Sequence, residues 1–279
     1  MPIKSKFTFL LAAALAAGAG LNTRADDAAD KGRDVFKQSQ QCAVTVQMTQ
    51  KISVTTPGRS GTPRENKQEI TGTVVDPSGL TVLALSACDP SEIYQRMGND
   101  MKIETELSDM KILLDDGGEL PAEIVLRDKD LDLAFIRPKT KVATPLIAVD
   151  LSKSSPAKVL DQVVTFNRLN RAAGRAHSAS LERISAVIQK PRTFYIPDSS
   201  MTATALGSPV FALDGNIVGI VVMRAVNSVG SNQRENVTSI ILPAEDILKG
   251  AKQAPEAKGD TEKKDAPKDS ADKKADEKK

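Results

Sequence analysis

The chain has 279 residues and a formal net charge of +2, and aromatic residues make up only 3% of it. That balance gives no pull toward DNA or a membrane surface and few rings for base stacking, so nucleic-acid binding has no support. One histidine and two cysteines are too few ligands for a typical zinc site, and neither a metal nor another cofactor is expected.

Residues 1–25 have the three parts of a secretory signal. Lys4 and Lys6 supply the positive start, Phe7 to Ala17 the apolar run, and Thr23-Arg24-Ala25 a small residue at the cut. The run is shorter than the roughly 20 residues that cross a bilayer. The mature chain is therefore expected to be exported, periplasmic or extracellular, with no transmembrane segment. Export permits a disulfide between Cys42 and Cys88. Two buried free thiols fit equally well, because cysteine is among the most buried residue types.

Residues 26–38 form a lead-in, with a short helix expected over Asp30–Gln40. From residue 39 the chain reads as short strands separated by turn signals. Ala43–Gln50 alternates apolar and polar, and Thr55–Lys67 is rich in Pro, Gly and Arg and reads as a surface loop. Ile70–Val75 and Leu80–Leu85 flank Asp76-Pro77-Ser78-Gly79, where Pro presets one φ and Gly supplies a positive one. Lys111–Leu114 and Glu119–Leu126 flank Asp115-Asp116-Gly117-Gly118, a hairpin turn. Leu131–Ile136 follows, and a connector runs from Arg137 to Pro145.

A second strand set covers Val159–Phe166, Ala176–Val187, Phe194–Ile196, Pro209–Leu213, Ile217–Val226 and Val237–Leu242. Pro243–Lys252 has helical spacing of Ala244, Ile247 and Leu248, with Gly250 as a stop. Two sets of about six short strands predict an all-β domain over 39–250, built as two six-stranded antiparallel β-barrels with a short C-terminal helix. Residues 251–279 are Lys, Asp, Glu, Ala and Pro without a large apolar side chain. They cannot offset the entropy of ordering and are expected to be a disordered tail.

Three segments in order carry a resemblance to trypsin-like serine proteases, and within them to the high-temperature-requirement (HtrA) branch. Residues 72–88 end in Leu83-Ala84-Leu85-Ser86-Ala87-Cys88, where the branch reads Thr-Asn-x-His-Val. Residues 116–136 look like its Asp-Gly hairpin followed by Asp-x-x-x-Asp-Leu-Ala-x-Leu. Thr204-Ala205-Leu206-Gly207-Ser208-Pro209, followed by the Asp214-Gly215 turn and Val218-Gly219-Ile220, resembles the family's Gly-Asn-Ser-Gly-Gly-Pro segment and the strands after it. Ser239-Ile240-Ile241-Leu242-Pro243 resembles the last strand before the terminal helix. The resemblance implies a trypsin-like double barrel. It puts Asp132 at the catalytic acid, Ser86 at the histidine and Leu206 at the nucleophilic serine. Gly207 and Ser208 fall in the oxyanion region, with Ser208 in place of a glycine. The family's peptide-binding PDZ module is not expected, since the terminal helix leads straight into the tail.

Acyl transfer on this template needs a hydroxyl that attacks, an imidazole that takes its proton and N–H groups aimed at the oxyanion. Leu206 has no nucleophilic atom, and Ser86 is a very poor base at neutral pH. Losing the nucleophile or the base alone costs about 10⁶ in turnover in a well-studied case. No competent catalytic residue is therefore expected, and Ser86, Asp132 and Leu206 read as vestigial positions. His177, the only histidine, reads as an exposed or hydrogen-bonded loop residue. Arg168, Arg171 and Arg175 read as a solvated loop. Ser208 as a displaced nucleophile would face a different way, and a Ser–Lys dyad stays open, since lysines are plentiful and nothing in the sequence places one. The favoured reading is an exported protease homologue that binds peptides, unfolded protein segments or an envelope protein partner, since strand addition needs backbone edges and no triad. The alternatives are an endopeptidase with a rearranged site and a structural envelope protein.

Overall fold

The protein is described by a computed structural model covering residues 23–56, 59–96, 102–198, 205–225 and 237–256. The alternation in Ala43–Gln50 forms the first half of β1 (Ala43–Thr56), whose Val46 and Met48 are fully buried. β1 pairs antiparallel with β3 (Arg64–Val74), with Val46 opposite Ile70. The Asp76–Gly79 turn then leads into β4 (Thr81–Ala84). Asp76 accepts from Ser78 N at 2.8 Å and from its Oγ at 2.5 Å, and Gly79 sits at φ 94°, a conformation that suits glycine.

β5 (Lys102–Leu113), β6 (Glu119–Asp128) and β7 (Leu133–Pro138) complete the set. β7 pairs with β4 and with β6, and β5 returns to pair with β1, closing a six-stranded barrel. The second closed barrel has the order β10-β13-β12-β11-β8-β9. Its strands are β8 (Gln162–Arg168), β9 (His177–Ile188), β10 (Phe194–Pro197), β11 (Pro209–Ala212), β12 (Ile217–Ala225) and β13 (Val237–Pro243). The two-barrel, mostly antiparallel architecture is the one the strand pattern predicts.

Val44, Val46, Met48, Leu83, Ile112 and Ile136 form the core of the first barrel. A second core fills the other barrel with Phe166, Ile184, Val210, Phe211 and Ile220. It continues across the interface to Val82, Leu133 and Phe135, so burial joins the two barrels as well as filling them. α1 (Thr23–Ser39) lies against β8, where Phe36 meets Phe166 edge-on at 5.3 Å. α1 begins earlier than the expected Asp30.

Several expectations need correction. The Thr55–Lys67 segment is mainly a hairpin arm: a two-residue strand β2 (Arg59–Ser60) pairs with the end of β1, and β3 starts at Arg64. β5 begins nine residues before the expected Lys111 and runs along the same arm, with Ile103 opposite Val54 and a Lys51–Glu106 ion pair at 2.9 Å. Cross-strand pairing has overridden the Pro/Gly loop signal there. Two short helices, α2 (Leu85–Cys88) and α3 (Ser91–Arg96), follow β4 where no helix is expected. α4 (Ala244–Gln253) passes through Gly250 instead of stopping there. A Cβ on Gly250 would lie 2.8 Å from the Phe135 ring, so its job is close packing. Ala254 is buried and Arg137 Nε donates to Pro255 O at 2.6 Å, so the folded part passes the expected boundary at residue 250. Cys42 and Cys88 are free thiols in separate cores, so the Cys42–Cys88 disulfide is not formed. Burial pushes both thiols well above their ordinary pKa, which keeps them protonated and unreactive. The expected signal segment up to residue 22 and the expected tail from residue 257 lie outside the described residues. Among the described residues, no helix is long and apolar enough to cross a membrane.

Candidate functional site

Two of the three positions that the resemblance matches to the triad meet directly. β4 ends at Ala84, and the chain turns at once into α2, which carries Ser86. Asp132 sits in the turn before β7, 9% exposed, at φ 58°, a left-handed backbone that Asp tolerates better than most residues. Its carboxylate accepts from Ser86 N at 2.7 Å and from Ser86 Oγ at 2.8 Å. It also accepts from Met223 N at 2.7 Å, across the interface on β12. Asp132 thus bonds beyond its own turn, where local backbone partners are the simpler expectation. Ser86 Oγ spends its proton on Asp132, and a hydroxyl donor in that place cannot relay a proton from a nucleophile as an imidazole would.

Leu206 is 4% exposed and belongs to the core that spans the barrel interface. The turn around it is fixed from both sides. Gly207 N donates to Val221 O at 2.8 Å, and Val221 N donates to Ser208 O at 3.0 Å. From the first barrel, Thr73 Oγ1 donates to Gly207 O at 2.7 Å. Gly207 has φ 87°, and a Cβ there would overlap the Thr71 carbonyl oxygen, so glycine is required twice over. Val221 and Met223 are two apart on β12, so the Leu206 turn and Asp132 are held to one stretch of one strand edge. Ser208 is fully buried, and its Oγ has no hydrogen-bond partner among the described residues. In this arrangement the Ser208 hydroxyl is not presented to a substrate.

His177 lies elsewhere, at the start of β9, with its side chain 16% exposed. Its Nε2 contacts both Asp115 oxygens, at 3.1 and 3.0 Å, and also Arg168 Nη1. Arg168 is 7% exposed in its side chain and donates to Asp115 Oδ1 at 2.8 Å. Arg175 grips Glu69 through Nε at 3.0 Å and Nη2 at 2.6 Å, and Gln47 donates to the same carboxylate at 2.9 Å. Arg168 and Arg175 are therefore not a solvated loop: they tie β8 and the approach to β9 to the first barrel. The hydrogen bond from Arg175 is the main cause that holds the Glu69 carboxyl below its usual range. Burial pushes Asp115 up, but the hydrogen bonds and charges of His177 and Arg168 outweigh it and bring that carboxyl below its ordinary value.

A cavity opens between the barrels beside Asp132. Ser86 and Asp132 line it from the first barrel, and Arg192, Phe194, Met223 and Arg224 line it from the second. The last four escape sequence reading. Following the strand after the Asp214-Gly215 turn to its end finds Met223 and Arg224; nothing in the sequence links residues 192–194 to this place. Arg224 lies over the Phe194 ring, 4.9 Å from guanidinium carbon to centroid, a cation–π contact. Among the described residues, no group of three or more His, Cys, Asp or Glu side chains is placed to hold a metal ion.

Residues 70–220 match the family model of the trypsin-like peptidase domain. Among solved structures, the chain resembles an HtrA-type protease, AlgW, determined with a tripeptide, with a TM-score of 0.53 and 15% identity. That match covers 80% of this chain and 62% of the other, so the chain spans under two thirds of that protein's length. No curated protein matches.

Proposed function

The chain belongs to the trypsin-like peptidase domain family, and from that premise we propose that it is an exported, proteolytically silent member that binds extended peptide or protein segments. The observation that carries the first half is the Ser86–Asp132 pair. Asp132 retains the acid's place in the turn before β7, and its partner is a hydroxyl instead of an imidazole. The sole histidine is engaged by Asp115 and Arg168 on another face. Leu206 fills the nucleophile's place with buried apolar volume.

Binding draws on the edge of β12. β11 pairs with β12 only as far as Pro209 opposite Ile220, whereas β13 pairs with it through Ala225. Residues 222–225 therefore have a β-strand neighbour on one side only, among the described residues. In an antiparallel strand the N–H and C=O of one residue point the same way, and alternate residues share that side. Val221 and Met223 turn their N–H groups away from β13, to Ser208 and Asp132. Ala225 follows in the same phase and offers its N–H and C=O to an added strand. The signal-like start of the chain supports export.

The test is a fluorophosphonate probe together with casein digestion, on the mature protein. The expected outcome is no labelling and no cleavage. Labelling that Ser208→Ala abolishes would restore the endopeptidase reading. For binding, Ala225→Pro should remove a donor from the β12 edge and abolish saturable binding of extended peptides in fluorescence polarisation. If no peptide binds the wild-type protein at all, a spacer role in the envelope takes its place.

A further inference from the structure

We infer that the cavity beside the β12 edge selects segments carrying an acidic side chain, Asp or Glu, through Arg192 and Arg224. This rests on the peptide-binding reading above and names the chemistry of its occupant. Four carboxylates and three cations line the cavity wall, and the carboxylates are already engaged as acceptors or ion-pair partners. Asp132 is taken by Ser86 and Met223. Asp89 accepts from Ser91 Oγ at 2.6 Å and from Ser91 N at 3.2 Å. Glu92 is paired with Lys129, and Asp130 is engaged as well.

The two guanidinium groups stand differently. Among the described residues, neither Arg192 nor Arg224 has a carboxylate partner within ion-pair distance. Arg224 is half-buried with its guanidinium carbon over the Phe194 ring, a contact that restrains its position without using its N–H donors. Arg192 is exposed at the cavity wall, and the ammonium of Lys249 is near enough to feel its charge. Lys249 is neutralised by Asp246 at 2.8 Å, which leaves Arg192 as the cation facing the cavity from that side. Carboxylates outnumber cations on the wall by four to three, but the donors left unpaired belong to guanidinium groups, the side-chain group best shaped to grip a carboxylate with two parallel hydrogen bonds. A strand added along residues 222–225 passes this wall, so its side chains alternately face the cavity.

The test compares two fluorescein-labelled peptides, Ser-Val-Thr-Glu-Val-Thr-Ser and its Gln counterpart, by fluorescence polarisation at low ionic strength. The Glu peptide should bind about tenfold tighter, the scale of one hydrogen bond to a charged group, and added salt should narrow the gap. Arg192→Gln, an exposed change that leaves folding intact, should remove most of the preference, and Arg224→Gln the rest. Arg192→Glu combined with Arg224→Glu should turn the preference toward a Lys peptide. Equal binding of the Glu and Gln peptides overturns the charge inference while the β12-edge reading stands. Binding of neither peptide overturns the edge reading and this inference with it.

Discussion

Asp132 holds Ser86 and the β12 backbone at once, and its stability contribution follows from that. Asp132→Ala removes three hydrogen bonds to a buried carboxylate and a side chain suited to φ 58°. It should cost about 4 kcal/mol in urea unfolding, against about 2 kcal/mol for Asp132→Asn, which retains an acceptor and tolerates the left-handed backbone. Gly207→Ala meets two independent obstacles, the φ of 87° and the Thr71 carbonyl. Because that obstacle is backbone, no rotamer change relieves it, and a loss of at least about 3 kcal/mol is expected from thermal or chemical melts. Leu206→Ser puts a hydroxyl into a buried apolar site and should cost about 3 kcal/mol. The double change with Ser86→His would therefore start from a weakened fold, and restored hydrolysis would be strong evidence for the assignment of both positions.

At the level of elements, the turns were the legible part. Asp76-Pro77-Ser78-Gly79 and Asp214-Gly215 form where their chemistry demands, and most strands between them follow within a few residues. The arm was not legible, because its Lys, Glu, Thr and Arg residues carry no apolar period; they are strand only because β1, β3 and β5 pair with one another. α2 and α3 were missed for a similar reason, being too short to show a helical repeat. Of the site, Ser86, Asp132 and Leu206 came from motif order, whereas Arg192 and Phe194 needed three-dimensional contacts between distant segments. Gly250 was misread, since a glycine that ends a helix and one that lets a helix lie on a ring look alike in sequence. Its substitution tests the second role. Gly250→Ala gains about 1 kcal/mol of helix propensity, but a methyl group 2.8 Å from the fully buried Phe135 ring forces α4 outward at about 2 kcal/mol. Net destabilisation by about 1 kcal/mol is the expected result, where an ordinary exposed helix glycine would gain stability.

Across the whole molecule, the barrels are joined by a shared apolar core and by a polar seam of Asp115, Arg168, His177, Glu69 and Arg175. Both seam carboxyls are depressed in the folded state, so each stabilises above the ordinary carboxylate pKa of about 4 and loses that contribution as pH falls through its folded value. Asp115→Asn combined with Glu69→Gln should lower the melting temperature at pH 7, and the gap from wild type should narrow as pH falls below the ordinary carboxylate range. A gap that stays constant with pH would mean that these pairs do not hold the barrels together.

The placement of His177 in that seam has a practical consequence. The chain has one histidine, and it touches an aspartate from the opposite barrel. A spectrum selective for imidazole Cε1–H groups will hold a single cross-peak, free of overlap and needing no assignment. Any change in how one barrel rests on the other, through a bound segment, a substitution or partial unfolding, will move that one resonance.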